Sequence, residues 1–137
     1  VIIQTSQGRS LQDIVDKEGH LALRKIEEDV LLNLRLLNHV IATGGSAAYS
    51  HSAMMHLKSD GIIVFLNVDL NTLQSRVHDH TTRGLAKRPD QSFADLFEER
   101  FVLYEKYADV TIDCGGLTQE KVCARIVEEV DKKSDRG

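Results

Sequence analysis

The fold is decided by the stretch Ile62-Ile63-Val64-Phe65-Leu66, which is apolar at every position. A strand with one wet face alternates apolar and polar residues, so this unbroken run predicts a strand that is buried on both faces. Strands of that kind are typical of parallel sheets with helices on both sides. The Asp60-Gly61 turn in front of the run marks where the strand begins.

Helical and strand-like segments alternate on both sides of this run. Short strands are predicted at residues 39–43 and 110–112, and the longest helix is predicted at about residues 20–37 from apolar residues spaced three or four apart. Five shorter or later helices have cap or turn signals at Ser10, at Asp60-Gly61, at Asp69, at the Ser92 and Asp95 capping box, and at Thr118. Such alternation predicts an α/β domain with a parallel sheet and right-handed crossovers.

Length and composition restrict the class of protein. The chain has 137 residues, which is enough for one domain, and its formal net charge is −4, which argues against a nucleic-acid surface. No apolar run approaches the ~20 residues that a membrane-spanning helix needs. Cys114 and Cys123 show no CxxC spacing, so we expect free thiols in a reducing cytoplasm, with a disulfide as the alternative.

The turn Thr43-Gly44-Gly45-Ser46 follows a predicted strand, where functional loops of parallel sheets lie. Two glycines let the backbone approach a ligand closely and point its N–H groups at oxygen atoms. A tight turn without a ligand is an equally good interpretation. The turn is neither a phosphate loop nor a nucleophile elbow, because GxxxxGK[ST] and GxSxG are both absent.

Two arginines are candidate anion ligands. Arg24 has Glu27 and Glu28 at the i+3 and i+4 positions of the long helix, where a carboxylate can orient the guanidinium. An ordinary surface pair explains the same spacing. Arg100 lies among apolar residues of a later helix, where it can be a buried anion ligand or can extend to water.

The polar stretch at residues 78–91 is predicted to be a loop. It carries Arg83, Lys87 and Arg88, which suits a mobile lid over phosphates, although a solvated loop needs no function. The histidines of the chain show no HxxxH or HExxH spacing, so we expect no metal site from them.

Taken in order, several segments resemble the shikimate kinase family, a group of P-loop kinases of the nucleoside-monophosphate-kinase type. The resemblance extends from residue 4 to about residue 118 and depends on order and spacing, since no single segment is diagnostic. The segments are Gly8-Arg9-Ser10-Leu11-Gln12-Asp13-Ile14-Val15, Arg24-Lys25-Ile26-Glu27, Val40-Ile41-Ala42-Thr43-Gly44-Gly45-Ser46, Leu73 with Arg76, Arg83-Gly84, Glu99-Arg100-Phe101-Val102-Leu103-Tyr104 and Tyr107-Ala108-Asp109.

The resemblance implies ATP-dependent phosphorylation of the shikimate 3-hydroxyl, with Mg²⁺ as the metal cofactor. It implies that Arg24 and Arg100 bind the shikimate carboxylate, that Glu27 orients Arg24, and that Gly44 and Gly45 meet the substrate hydroxyls.

The same resemblance implies the nucleotide contacts. Arg83 in the lid corresponds to the arginine that reaches the ATP phosphates and assists transfer, and Arg76 corresponds to an arginine near the adenine. The implied fold is a three-layer αβα P-loop kinase with a short parallel sheet. We expect one partial kinase domain over residues 1–137, with the lid at about 78–91 and the C-terminal helix at about 118–133.

The sequence departs from the family in three places. The family's first strand and phosphate loop have no counterpart, and residue 1 aligns just after the family's Asp-x-Asp, so we expect an N-terminally truncated chain whose Mg²⁺ ligands lie mostly outside it. Ser46 replaces a common third glycine, and Val102 replaces a proline. The alternatives are another small P-loop metabolite kinase and a non-catalytic kinase-like binding domain. We expect a cytoplasmic monomer that binds shikimate and ATP but neither nucleic acid nor membrane.

Overall fold

The computed structural model describes residues 7–78 and 92–135 of the chain. Six α-helices, one 3₁₀ turn and two strands follow one another along these residues. In chain order they are α1 (Leu11–Glu18), α2 (His20–Leu32), the 3₁₀ turn (Ala47–Tyr49), α3 (His51–Ser59), β1 (Val64–Asn67), α4 (Leu70–His78), α5 (Phe93–Tyr107), β2 (Val110–Asp113) and α6 (Gln119–Asp135).

The sheet is short and parallel, as the sequence predicts. Strands β1 and β2 pair from Val64 opposite Val110 to Asn67 opposite Asp113. The α/β class and the short parallel sheet are therefore confirmed. Burial on both faces is not as complete as predicted, because Leu66 keeps 48% of its surface exposed.

The prediction of a strand at residues 39–43 is wrong. This stretch has no regular secondary structure in the described residues, and Val40 is 99% exposed. A β-like sequence forms a strand only where a neighbouring strand supplies hydrogen bonds, and the sheet order places β1 beside β2 alone in the part of the chain that is described. The Gly44-Gly45 turn therefore follows irregular chain and not a strand.

Helix α2 is also shorter than predicted, ending at Leu32 and not near residue 37. The Asn33 side chain donates a hydrogen bond to the carbonyl of Asp29, and its backbone N–H bonds to the carbonyls of Val30 and Leu31. Side-chain and tight-turn hydrogen bonds of this kind satisfy the last carbonyls of a helix and close it. Apolar spacing alone could not detect this end, because Leu34 and Leu37 continue the pattern.

The predicted N-terminal caps are confirmed. Ser10 and Ser92 accept hydrogen bonds from backbone N–H groups three residues later, and Asp95 returns the bond of a full capping box at Ser92. Asp69 accepts from the Thr72 N–H, and Thr118 accepts from the Lys121 N–H. These bonds satisfy N–H groups that have no partner within their helices.

The core has two larger parts, and a smaller cluster around Ile14 and Leu23 packs α1 against α2. One part packs α2, the 3₁₀ turn, α3 and the end of α5 together, around Leu31, Ala53 and Tyr107. The other packs α6 against the sheet around Val110 and Ile112. The first of the larger parts includes Ala47 and Ala48, which follow the Gly44-Gly45 turn directly.

An ion pair ties these parts together. The Lys58 ammonium lies 2.9 Å from Asp109 Oδ1 and also donates to the Tyr107 carbonyl at 2.8 Å. The other carboxylate oxygen of Asp109 accepts from the Ile63 N–H at 2.8 Å. The end of α3, the start of β1 and the start of β2 are thereby joined at one point.

Candidate functional site

The Gly44-Gly45 turn is fixed from both sides by side chains. From α2, Glu27 accepts a hydrogen bond from the Gly44 N–H and another from the Ser46 hydroxyl. From α5, the Tyr104 hydroxyl donates to the Gly45 carbonyl at 2.5 Å. The turn is therefore anchored between two helices that are far apart in the sequence.

Both glycines of this turn have side-chain ends lying directly against their backbone. A Cβ at Gly44 would lie 2.8 Å from Glu27 Oε1. At Gly45 a Cβ would overlap Arg100 Nη1 and lie 3.0 Å from the Tyr104 hydroxyl. The absence of side chains thus lets the Glu27 carboxylate and the Arg100 guanidinium lie directly against the backbone.

Arg24 and Arg100 meet at one aromatic ring. The Arg24 guanidinium carbon lies 3.6 Å from the centroid of the Tyr49 ring, and the Arg100 guanidinium carbon lies 5.8 Å from the same centroid. Both distances are within the range of a cation–π contact. The structure therefore brings together two arginines that are 76 positions apart in the sequence.

A pocket of about 240 Å³ opens beside this arrangement. It is lined by Arg24, Lys25, Glu28, Ser46, Ala47, Tyr49 and Ser50. The pocket wall combines two cationic side chains and the Glu28 carboxylate with hydroxyl groups and one aromatic face. Such a wall suits a small anion that carries several hydroxyl groups.

Glu27 is a buried carboxyl group, with 5% of its surface exposed. Burial raises its pKa, against the opposing effects of the Ser46 hydrogen bond, the Arg100 charge and the Gly44 N–H. The net rise shows that removal from water has the larger effect on this carboxyl group. Its contacts with Gly44 and Ser46 place Glu27 as the anchor of the turn.

The two tyrosines beside Arg100 have pKa values raised mainly by burial. Hydrogen bonds and charge from Arg100 act in the opposite direction on both Tyr49 and Tyr104. The Tyr49 hydroxyl also donates to Glu99 Oε2 at 2.6 Å. Both phenols are therefore neutral donors at physiological pH, and both lie in the hydrogen-bonding environment of Arg100.

The predicted residues Arg24, Glu27, Gly44, Gly45 and Arg100 thus lie in one site. Arg76 lies elsewhere, on α4 and away from the pocket lining. Burial raises the pKa of the Cys114 thiol at the end of β2, and the charges of Arg76 and Arg125 act against that rise. Arg76 therefore lies near the carboxyl end of the sheet.

The predicted lid lies almost wholly outside the described residues. Residues 79–91, which include Arg83, are outside them, so the site of phosphate contact stays a prediction. Among the described residues no group of three or more histidine, cysteine, aspartate or glutamate side chains could hold a metal ion. These described residues therefore offer Mg²⁺ no protein-built cage.

Tyr49, Glu99 and Tyr104 belong to the site but were not predicted to have a role in it. Tyr104 carried a signal, since it lies one helical turn after Arg100 and on the same face. Tyr49 carried none that periodicity detects, because it lies in a short turn after two alanines. Its position beside Arg24 is a result of the tertiary fold.

Two further observations concern the whole of the described chain. Cys114 and Cys123 are free, one buried and one exposed, as the absence of paired spacing predicts. None of the helices within residues 7–78 and 92–135 combines the length and apolar character that crossing a membrane requires.

Many known proteins are similar to this chain in sequence. The shikimate kinase family model matches residues 1–131. A shikimate kinase of Thermodesulfovibrio yellowstonii is 34% identical over 137 residues, covering 98% of this chain and 79% of its own length. A shikimate kinase of Aquifex aeolicus is 35% identical, covering 91% of this chain and 74% of its own length.

Solved structures agree with the sequence comparison. The crystal structure of shikimate kinase from Aquifex aeolicus aligns with a TM-score of 0.79 at 33% identity, over 98% of this chain and 80% of that one. Shikimate kinase from Acinetobacter baumannii in complex with shikimate aligns with a TM-score of 0.81 at 26% identity, over 96% of this chain and 75% of that one. With this agreement in sequence and in fold, the chain belongs to the shikimate kinase family.

Proposed function

We propose that this chain forms the shikimate-binding part of an enzyme that phosphorylates the 3-hydroxyl of shikimate with ATP. The observation that carries the proposal is the convergence of Arg24 and Arg100 on the Tyr49 ring, beside the Gly44-Gly45 turn. Family membership supports the proposal, and so does the similar structure from Acinetobacter baumannii, which is a complex with shikimate.

The chemistry of shikimate fits this site. Shikimate is a small ring with one carboxylate and three hydroxyls. Guanidinium groups are planar and can donate two parallel hydrogen bonds to a carboxylate, so Arg24 and Arg100 suit that end of the molecule. We assign the ring hydroxyls to the Gly44-Gly45 turn, which carries no side chains of its own and has the Glu27 carboxylate and the Arg100 guanidinium directly against it. The carboxylate would thus be held by charge and the ring hydroxyls by the turn.

In the reaction, the oxygen of the shikimate 3-hydroxyl bonds to the γ-phosphorus of ATP, the bond to ADP breaks and the hydroxyl proton is released. Phosphoryl transfer needs positioning and charge stabilisation more than covalent chemistry from the protein. The residues of this site supply the positioning of shikimate. Arg83 supplies positive charge near the transferred phosphoryl group, and Arg76 contacts the nucleotide.

The phosphate-binding elements are a separate matter. The 137 residues contain no GxxxxGK[ST] segment, which in P-loop kinases surrounds the triphosphate with backbone N–H groups and a lysine. We therefore propose that residues 1–137 expressed alone do not turn over shikimate, and that the Mg²⁺ ligands lie mostly outside them. The working enzyme is proposed to be a cytoplasmic monomer, which light scattering and cell fractionation test.

The test uses the intact gene product and a coupled assay of ADP release. Arg24→Ala and Arg100→Ala should each raise the KM for shikimate about tenfold to a hundredfold, the loss expected for a charged hydrogen-bonded contact. The KM for ATP should stay within about twofold of the wild-type value, because these two arginines are proposed to contact shikimate and not the nucleotide. Arg35→Ala is the matched control, since Arg35 is exposed and bonds to the end of α2 and to His56.

Three outcomes would contradict the proposal. An unchanged KM for shikimate in both arginine variants would remove them from the site. Turnover of another polar metabolite but not shikimate would favour a different small P-loop kinase. Binding of shikimate by calorimetry without any ADP release would favour a non-catalytic binding domain.

A further inference from the structure

We infer that Tyr49 is a positioning residue that sets the spacing of Arg24 and Arg100 through the face of its ring. This inference rests on the proposed function, because it concerns how the two arginines are held for a carboxylate. It adds a residue to which neither the sequence motifs nor the comparisons give a role. Four sets of contacts carry it.

The first set is the stacking of Arg24. At 3.6 Å from the ring centroid, the Arg24 guanidinium lies in van der Waals contact with the Tyr49 ring. A guanidinium is planar and stacks well on an aromatic face, leaving the N–H groups at its edge directed outward. The ring therefore fixes the plane of the Arg24 guanidinium.

The second set places Arg100 in the field of the same ring. Its guanidinium carbon lies 5.8 Å from the centroid, at the outer limit of a cation–π contact. Two guanidinium cations that share one small site repel each other before an anion arrives. The negative face of the Tyr49 ring attracts both, so it offsets part of that repulsion and keeps both cations at the site.

The third set fixes the ring itself. The Tyr49 hydroxyl donates to Glu99 Oε2 at 2.6 Å, and Glu99 is the residue next to Arg100 on α5. The bond ties the 3₁₀ turn to the helix that carries the second arginine. The Tyr49 hydroxyl is thus linked through Glu99 to the helix that carries Arg100, and the face of its ring contacts Arg24.

The fourth set fixes the backbone that carries Tyr49. Adjacent carboxylates of α2 hold the two ends of this segment, because Glu27 accepts from the Ser46 hydroxyl and Glu28 accepts from the Ser50 hydroxyl. Ser50 also caps α3 by accepting from the Ala53 N–H at 3.1 Å. With both ends of the 3₁₀ turn attached to α2, the Tyr49 ring has a defined distance from Arg24, which is on that same helix.

The experiment compares five variants of the intact gene product by steady-state kinetics, with shikimate varied at saturating ATP and the reverse. Tyr49→Leu removes the ring and should raise the KM for shikimate about fivefold to thirtyfold, the value of a desolvated cation–π contact. Tyr49→Phe keeps the ring face but loses the hydroxyl bonds to Glu99 and Arg100, so it should raise the KM for shikimate by a smaller factor than Tyr49→Leu does. Adding Tyr49→Leu to Arg24→Ala should raise the KM by a smaller factor than Tyr49→Leu does in the wild type, because the contact between the ring and Arg24 is already gone.

Tyr107→Leu is the control for lost stability. Tyr107 is more deeply buried than Tyr49, at 4% exposed, and belongs to the core cluster that includes the neighbouring Ala47 and Ala48, and its own contacts are with His51 and Lys106. We expect it to lower the melting temperature at least as much as Tyr49→Leu while leaving the KM for shikimate within about twofold.

The outcomes distinguish failure of the proposed function from failure of the role inferred for Tyr49. Wild-type protein that releases no ADP with shikimate overturns the proposed function and this inference with it. Active wild-type protein with an unchanged KM in Tyr49→Leu overturns the inference alone. The inference is also overturned if Tyr49→Phe is as damaging as Tyr49→Leu, or if the Tyr49→Leu effect remains undiminished in the Arg24→Ala background.

Discussion

Replacing Gly45 by alanine is a sharp test of the site, because it adds one methyl group at its tightest point. The new Cβ would overlap Arg100 Nη1 and lie 3.0 Å from the Tyr104 hydroxyl. The end of the Arg100 side chain is the part that can move most easily. We therefore expect the fold to accommodate the methyl group by moving the guanidinium away from the turn.

The effect on binding and the effect on stability should separate. Displacing the guanidinium costs its contact with the substrate carboxylate, about 1.5–3 kcal/mol, which raises the KM for shikimate about tenfold to a hundredfold. Straining the bond between Tyr104 and the Gly45 carbonyl costs about 0.5–1.5 kcal/mol of folding free energy. Lower chain entropy in the unfolded state returns about 0.4–1 kcal/mol, since Gly45 does not have a positive φ angle. The melting temperature should therefore change little.

The assay pairs coupled ADP release with thermal unfolding by circular dichroism, on the intact gene product. Gly115→Ala is the matched control, because a Cβ there has nothing within 4 Å and that residue also has no positive φ angle. A KM for shikimate within twofold of the wild-type value in Gly45→Ala would show that Arg100 does not lie against this turn in the working enzyme.

Three further predictions concern the lid, the buried carboxyl group and the isolated chain. Arg83→Ala should lower kcat more than it raises the KM for shikimate, because its charge meets phosphate oxygens during transfer; an unchanged kcat would contradict that role. The raised pKa of Glu27 means that the folded state holds this proton more tightly than the unfolded state, so wild-type stability should fall relative to Glu27→Gln as pH rises from the ordinary glutamate range through the folded pKa. Urea unfolding of both proteins across that pH range measures the difference, and a difference that changes in the opposite direction would show a lowered pKa. Residues 1–137 expressed alone should show no cooperative melt, because β1 has one paired edge among the described residues. They should also show no shikimate-dependent ADP release, because no phosphate loop is present in them. A cooperative melt would refute the first expectation, and ADP release would refute the second.

Local patterns predicted most of the elements that form here. The caps at Ser10, Asp69, Ser92 and Thr118 depend on contacts over three residues, which a sequence shows directly. The strand at residues 39–43 was predicted wrongly, because a strand depends on its neighbour and not on its own composition. The end of α2 at Leu32 was missed for a related reason, since the closing bonds of Asn33 leave no mark in apolar spacing.

The site shows the same division between local and tertiary information. Resemblance selected Arg24, Glu27, Gly44, Gly45 and Arg100, and the fold brings these residues together. No pattern selected Tyr49, because its importance comes from α2 and α5 meeting on either side of one turn. Ser46 was seen as a departure from a glycine, and only the structure shows its hydroxyl bonded to the buried Glu27.

The central claim is that Arg24 and Arg100 together bind one carboxylate beside the Gly44-Gly45 turn. A crystal structure of the intact gene product with shikimate tests it most directly. We predict that the shikimate carboxylate lies beside the Tyr49 ring and contacts both guanidinium groups. Its oxygen atoms should be about 2.7–2.9 Å from nitrogens of Arg24 and Arg100, the range of charge-assisted hydrogen bonds. A carboxylate bound by neither arginine, or shikimate bound away from this turn, would contradict the account.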